Sequence, residues 1–288
     1  MLSSDGDQFD AICFGGGSLQ AVSFFPEVHA IERTIGGRLN TVVKHFAGIS
    51  VGSIFAIVLG SGATSVDFGD QVERIIDGAF KCNIHTMWKT CGMDDGTALE
   101  RNLVEVLYNL GIDAQMTIGE YEKHYAVTLS IIAFDAYAVE TIVMPPHATL
   151  IQGIRCSSAI PFIFSPYFFE DKLYLDGAFG NYRVPSILDT SRKWLWLRLN
   201  STLTKPVSTQ RPAYEDLVTI VLLAIRRPGD VAPKCDHVME RCIPPDSRVP
   251  TTLLNIDQAT MRRVRSDAFI TPAVCRYSFC ARSSECLA

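Results

Sequence analysis

Gly48-Ile49-Ser50-Val51-Gly52 spells G-x-S-x-G, the spacing of a nucleophile elbow in which a serine is presented from a sharp strand-to-helix turn. Such a turn needs small neighbours, because flanking side chains would collide with the sheet or the substrate. The same letters also fit a plainer reading, with Ser50 capping the apolar helix behind it and Gly48 and Gly52 merely permitting the turn. Upstream, Gly15-Gly16-Gly17-Ser18 offers unobstructed backbone N–H groups suited to a phosphate or an oxyanion. A dinucleotide fingerprint would need glycine at position 20, where Gln20 stands, and no G-x-x-x-x-G-K follows, which argues against a nucleotide. Downstream, Arg155-Cys156-Ser157-Ser158-Ala159-Ile160-Pro161 leads into an aromatic stretch from Phe162 to Phe169 and then into Tyr174-Leu175-Asp176-Gly177-Ala178. Asp176 closes a strand at a Gly-Ala turn, which would project its carboxylate at the same sheet edge as Ser50. Its plainer reading is an Asx-turn ahead of Gly177.

The elements that must position these residues follow an α/β grammar. Phe9 to Phe14 reads as a short apolar strand stopped by the glycines. A helical pattern runs from Leu19 through Val22, Phe25 and Val28, with Pro26 implying a kink or a late start. Thr41 to Phe46 reads as a second strand and Val51 to Gly60 as a helix. Asp94 to Thr97 can cap a helix whose stripe is Leu99, Leu103, Val106, Leu107 and Leu110, with its stop at Gly111. Strands are expected at Tyr125 to Phe134, Val139 to Val143, Lys172 to Leu175 and Trp194 to Leu199, with a short helix at Ile151 to Ser158. Beyond Asn200 the pattern loosens into a linker, a helix at Tyr214 to Ile225, a Pro- and Cys-bearing loop at 228–250 and a helix near Asp257 to Asp267. The expected architecture is an α/β three-layer sandwich, a mainly parallel sheet flanked by helices, over residues 9–199, with residues 200–288 a helical or irregular extension.

Taken together and in this order, the glycine loop, the elbow, Ser157-Ser158-Ala159-Ile160-Pro161 and Asp176-Gly177-Ala178 resemble the patatin-like phospholipase family. The resemblance implies a lipid acyl hydrolase cleaving carboxylic esters of glycerolipids, phospholipids first, at a transient membrane surface. Ser50 would be the nucleophile and Asp176 its general base and acid. Gly15, Gly16 and Gly17 would form the oxyanion loop, and Gly48, Gly52 and Gly177 the turns. No cofactor or metal is implied. The chain departs from the family where Leu19 and Gln20 replace the usual Arg-Gly and where the Asn-x-Pro after the aspartate is stretched to Asn181 through Pro185. A bulky Gln20 would narrow the approach to the glycine loop, so the competing reading is a catalytically silent lipid- or protein-binding module on the same fold.

The rest of the composition bounds the answer. With 288 residues, 48% hydrophobic and 20% charged, the chain is globular, and a net charge of −5 offers no basic field for nucleic acid. Nine scattered cysteines without a C-x-x-C pair argue against a secreted disulfide scaffold and for a reducing, cytoplasmic compartment, and Met1 to Asp7 is acidic where a signal peptide is basic. Peripheral contact with membranes or lipid droplets follows from the resemblance. Phe46 to Val66 lacks charge over a membrane-spanning length, but its glycines and serines favour strand, turn and buried helix. His147 and His237 follow Ser50 and could form a Ser-His-Asp set, though neither sits at a strand end. Cys82, His85 and Cys91, or Cys235, His237 and Cys242, are at most half metal sites.

Overall fold

The computed structural model describes residues 9–76, 80, 83–180, 187–199 and 238–243. The chain enters through β1 (Ala11–Phe14), passes a 3-10 segment at Ser18–Ser23, and continues into α1 (Phe24–Ile35). Pro26 is the third residue of α1, where its missing N–H costs no hydrogen bond; the sequence's late start is what the fold adopts. β2 (His45–Ile49) and α2 (Val51–Gly60) follow, then three short helices, α3 (Ser65–Gly69), α4 (Val72–Ile76) and α5 (Ile84–Thr90). Next come β3 (Gly92–Asp94), α6 (Thr97–Asn109), α7 (Ile118–Tyr125), β4 (Thr128–Asp135), β5 (Glu140–Val143) and α8 (Leu150–Ser157). β6 (Phe162–Phe164), β7 (Tyr167–Phe169), β8 (Lys172–Asp176), β9 (Trp194–Leu199) and β10 (Val238–Ile243) complete the described elements.

Eight strands form one mixed, mainly parallel sheet in the order β10-β9-β1-β2-β4-β8-β7, with β5 antiparallel to β4. β10, β9, β1, β2 and β4 run parallel, whereas β8 runs antiparallel to β4. β3 and β6 pair apart as a small parallel ribbon. Register fixes the site: Phe14 stands opposite Gly48, Ile49 opposite Ile132, and Ala133 opposite Asp176. The ends of β1, β2 and β8 therefore meet at one edge, with β4 between the serine and the aspartate.

The larger core lies on the face covered by α1, α2, α6, α7 and α8. α2 is buried from Gly52 through Gly60, as expected of a helix that is apolar all round, and its Phe55 packs against Phe14, Phe24, Phe25 and Phe68 at ring separations of 4.8 to 5.6 Å. No described helix is long and apolar enough to cross a membrane. On the opposite face Cys13, Ala47, Ile49, Ile132 and Trp196 gather with Leu188, so the strands are apolar on both sides, as a parallel sheet requires. A helical layer over this second face is not among the described elements.

Several boundaries differ from the sequence expectation for identifiable reasons. The strand expected from Thr41 begins at His45, because the N–H groups of Val42 and Val43 both turn back to Leu39 O and close a 3-10 turn at Leu39–Thr41. Tyr125 belongs to α7, whose start is a capping box between Thr117 and Glu120. Val238–Ile243, expected within a loop, forms edge strand β10 against β9; its exposed Glu240 and half-exposed Arg241 mask the apolar alternation that marks a strand. The helices expected at 214–225 and 257–267 lie outside the described residues, as do Asn181 and Pro185.

Candidate active site

Ser50 joins β2 to α2 with φ 54 and ψ −129, a left-handed conformation that a serine adopts only at a cost of about 1 to 3 kcal/mol. If its purpose were to cap α2, its side chain would accept a hydrogen bond from the first turn; it makes none. The Ser50 carbonyl is used instead, accepting from Ser53 N at 2.9 Å and Ser53 Oγ at 2.5 Å. The capping reading is thus set aside. Two glycines make the turn possible by close approach: a Cβ on Gly48 would strike the Gly52 backbone, and one on Gly52 would strike Phe14 O and Gly15 O.

Gly16 shows how the motifs converge. A Cβ placed there would lie 3.4 Å from Ser50 Cβ, 3.6 Å from Ile49 Cγ2 and 3.7 Å from Ala178 Cβ, so the glycine loop, the elbow and the Asp-Gly-Ala turn meet at this residue. Of the three glycines, Gly15 donates its N–H to Leu197 O at 2.8 Å and extends the sheet. The N–H groups of Gly16 and Gly17 donate to nothing among the described residues. Gln20 is buried and is not among the residues lining the cavity beside Ser50, while Leu19 is. Gln20 thus does not line the approach to Ser50, although its N–H donates to Gly17 O at 3.1 Å.

Asp176 is buried at the end of β8. Its Oδ1 accepts from Ala178 N at 2.8 Å, an Asx-turn, so that plainer reading is also true of it. Its Oδ2 is buried with no hydrogen-bond partner among the described residues. Burial pushes the carboxyl up from 3.8 to about 6, against the smaller opposing pulls of the nearby Ser50 hydroxyl and the Ala178 N–H. A Cβ on Gly177 would strike Ile132 O, so glycine keeps this turn tight against β4.

Residues 157–159 act as the brace. Ser157 Oγ accepts from Ser50 N at 2.7 Å and donates to Ile132 O at 2.6 Å, and Ala159 O accepts from Asp176 N at 2.9 Å. One segment thereby holds both the serine and the aspartate. Behind it the Arg155 guanidinium donates to Asp95 O at 2.9 Å and stacks 5.5 Å from the Tyr167 ring. The sequence grouped these residues without showing what each one does; the signal available was only their adjacency.

A cavity of about 130 Å³ opens beside Ser50. Its walls include Val22, Ile54, Phe55, Phe68, Leu99 and Phe164, and its only polar lining residues among those described are Ser18, Ser50 and Ser158. The aromatic stretch divides: Phe164 is buried in this wall, whereas Phe162 and Phe168 are exposed.

No described histidine lines the cavity. His147 is exposed and paired with Glu170, and His45 is a core residue bonded to Ser130 at 2.7 Å, with burial lowering its pKa to about 4. His237 lies outside the described residues. No three metal-ligating side chains gather among the described residues; Cys91 is free and exposed, while Cys82, Cys235 and the Cys242 side chain lie outside them.

Comparison with known proteins gives three findings. A family model described as Patatin-like phospholipase matches residues 12–185. An uncharacterized protein of Acanthamoeba polyphaga mimivirus is 25% identical over 140 residues, which is 47% of this chain and 47% of that protein, so the match spans less than half of the relative. Among solved structures, VipD from Legionella pneumophila is similar at TM-score 0.48 and 11% identity over 91% of this chain and 65% of its own. ExoU of Pseudomonas aeruginosa, in complex with SpcU, is similar at 0.45 and 14% over 69% of this chain and 45% of its own.

Proposed function

The chain belongs to the patatin-like phospholipase family, and on that premise we propose that it is a serine-dependent acyl hydrolase of glycerolipid esters working through a Ser50-Asp176 dyad. The observation that carries this reading is a serine held at positive φ, its side chain capping nothing, together with a buried carboxylate whose Oδ2 has no hydrogen-bond partner among the described residues.

Each step follows from a named atom. Ser50 Oγ attacks the ester carbonyl while its proton passes to Asp176 Oδ2. The N–H groups of Gly16 and Gly17 hold the oxyanion that forms on the carbonyl oxygen. Collapse breaks the bond to the alkoxy oxygen, which takes the proton back from Asp176 and leaves as the alcohol. A water then gives one proton to Asp176 and its hydroxyl to the acyl carbon, and as the bond from the acyl carbon to Ser50 Oγ breaks, Asp176 passes that proton to Oγ, releasing the fatty acid and restoring both residues. The raised pKa of Asp176 suits this exchange, because a carboxylate near 6 is a stronger base than an ordinary one yet is ionised at neutral pH. The apolar cavity fits an acyl chain, each buried methylene favouring binding by about 0.8 kcal/mol.

The deciding experiment treats wild type and Ser50→Ala with a fluorophosphonate probe and with detergent-dispersed phosphatidylcholine. Labelling and fatty-acid release by wild type, both lost in Ser50→Ala, support the assignment. Undiminished labelling of the variant places the nucleophile elsewhere. The silent-module alternative predicts neither labelling nor fatty-acid release by wild type, so the same experiment separates the two readings.

A further inference from the structure

Ser158 ends α8 immediately after the brace at Ser157. Its residue is 7% exposed, and its Oγ is buried with no hydrogen-bond partner among the described residues. Its backbone is fully employed, the N–H donating to Ile154 O at 2.9 Å and the carbonyl accepting from Ile160 N at 2.9 Å, so the described residues use its backbone and not its hydroxyl. A buried hydroxyl lacking a partner is a stability loss that alanine would avoid. The hydroxyl lines the same cavity as Ser50, and the remaining wall is apolar apart from Ser18, whose Oγ is likewise buried and unpartnered among the described residues.

We propose that Ser158 is a substrate-binding residue, its hydroxyl donating to the carbonyl oxygen of the bound ester alongside the Gly16 and Gly17 N–H groups. The inference rests on the assignment of Ser50 as the residue that meets the ester. When the acyl chain fills the apolar part of the cavity, the ester is the polar group that arrives at the serines. The carbonyl oxygen has two lone pairs as ground-state acceptor and gains negative charge on attack, so a hydroxyl donor there counts more in the transition state than in the bound ester. Ser157 is one residue away but is saturated, holding Ser50 N and Ile132 O; Ser158 is the one of the pair with a hydrogen to give.

Two measurements test this, one without turnover. In a Ser50→Ala background, titration with a monopalmitoyl glycerophosphocholine ester and with its hexadecyl ether analogue, which lacks the carbonyl, should show an ester preference that shrinks by about fivefold on adding Ser158→Ala, the scale of one neutral hydrogen bond. With Ser50 present, Ser158→Ala should raise KM by about the same fivefold and lower kcat by a further factor of about 10², and its unfolding midpoint should stay level or rise. Ser158→Cys, nearly isosteric and a poor donor, repeats the test should the alanine variant fail to fold. An ester preference that ignores Ser158, or a lowered midpoint with kcat intact, overturns the proposal and makes the residue structural. A wild type that hydrolyses nothing while its ester preference depends on Ser158 sinks the hydrolase reading and leaves this one standing. Normal hydrolysis with no response to Ser158 does the reverse.

Discussion

Replacing Asp176 with asparagine should make the protein more stable while removing its activity, and the gain should depend on pH in a calculable way. Burial lifts the native carboxyl from 3.8 to about 6, a difference that corresponds to about 3 kcal/mol between protonated and ionised forms. Because the native pKa is the higher, the folded state keeps a proton between pH 3.8 and 6 that the unfolded chain has released, and stability contributed by this group falls as pH rises through that window. Below about pH 3 both states are protonated and the penalty vanishes; above about pH 7 it is fully present. Asparagine carries no charge to bury, its Oδ1 can still accept from Ala178 N, and its amide can donate toward the Ser50 hydroxyl. Urea unfolding of wild type and Asp176→Asn at unit pH steps from 4 to 8 should therefore show a difference growing toward about 3 kcal/mol in favour of the variant, or about 6 °C in midpoint at the upper end. Any constant packing cost of the amide cancels, since the prediction concerns the slope. A difference that is flat with pH, or that grows in favour of wild type, would refute the argument that Asp176 is a carboxylate held at the expense of the fold.

Three further outcomes follow from the same geometry. The kcat/KM profile should climb with pH to a plateau, with an apparent pKa of about 6 set by Asp176; a limb centred near 4 would show the base to be an unburied carboxylate. Ser50→Gly should be inactive yet more stable than wild type by about 1 kcal/mol, because glycine accepts φ 54 without strain; destabilisation measured by urea unfolding would contradict this. Gly16→Ala and Gly52→Ala should separate chemistry from fold. The first adds a methyl at ordinary contact distance from Ser50 and should lower kcat by about 10²-fold with a normal unfolding midpoint. The second drives a methyl into the backbone at Phe14 and should leave little folded protein in the soluble fraction.

What the sequence could disclose was limited by the range over which its signals act. The elbow, the glycine loop and the Asp-Gly-Ala turn are local patterns, each tied to the strand that ends at it, so β1, β2 and β8 were recognisable from runs such as Ala11 to Phe14. β10 was not, since an edge strand with charged residues at 240 and 241 carries no strong period. α3, α4 and α5 were missed because helices of five to seven residues span too few turns to establish a stripe. The local pattern treats the three glycines alike; only the register that pairs Phe14 with Leu197 of β9 tells that Gly15 spends its N–H on Leu197 O.

The distance between serine and aspartate is set by a part of the fold that carries none of the chemistry. β4 lies between β2 and β8, so Ser50 and Asp176 are each fastened to it, Ser50 through the Ser157 bridge to Ile132 O and Asp176 through the pairing of β8 with Ala133. A dyad has no third group to correct its geometry, unlike a triad in which a carboxylate orients an imidazole. For the proposed dyad, precision must come from the backbone: Ser50 N, Ile132 O, Asp176 N and Ala159 O are main-chain groups, joined on the serine side by the single hydroxyl of Ser157, and the contacts are too tight for a Cβ at Gly48, Gly52 and Gly177. The burial needed to hold these strands together is also what denies Asp176 water and raises its pKa. Rigid placement and basicity thus have one physical source, and a change that loosens the β2-β4-β8 edge should weaken both at once.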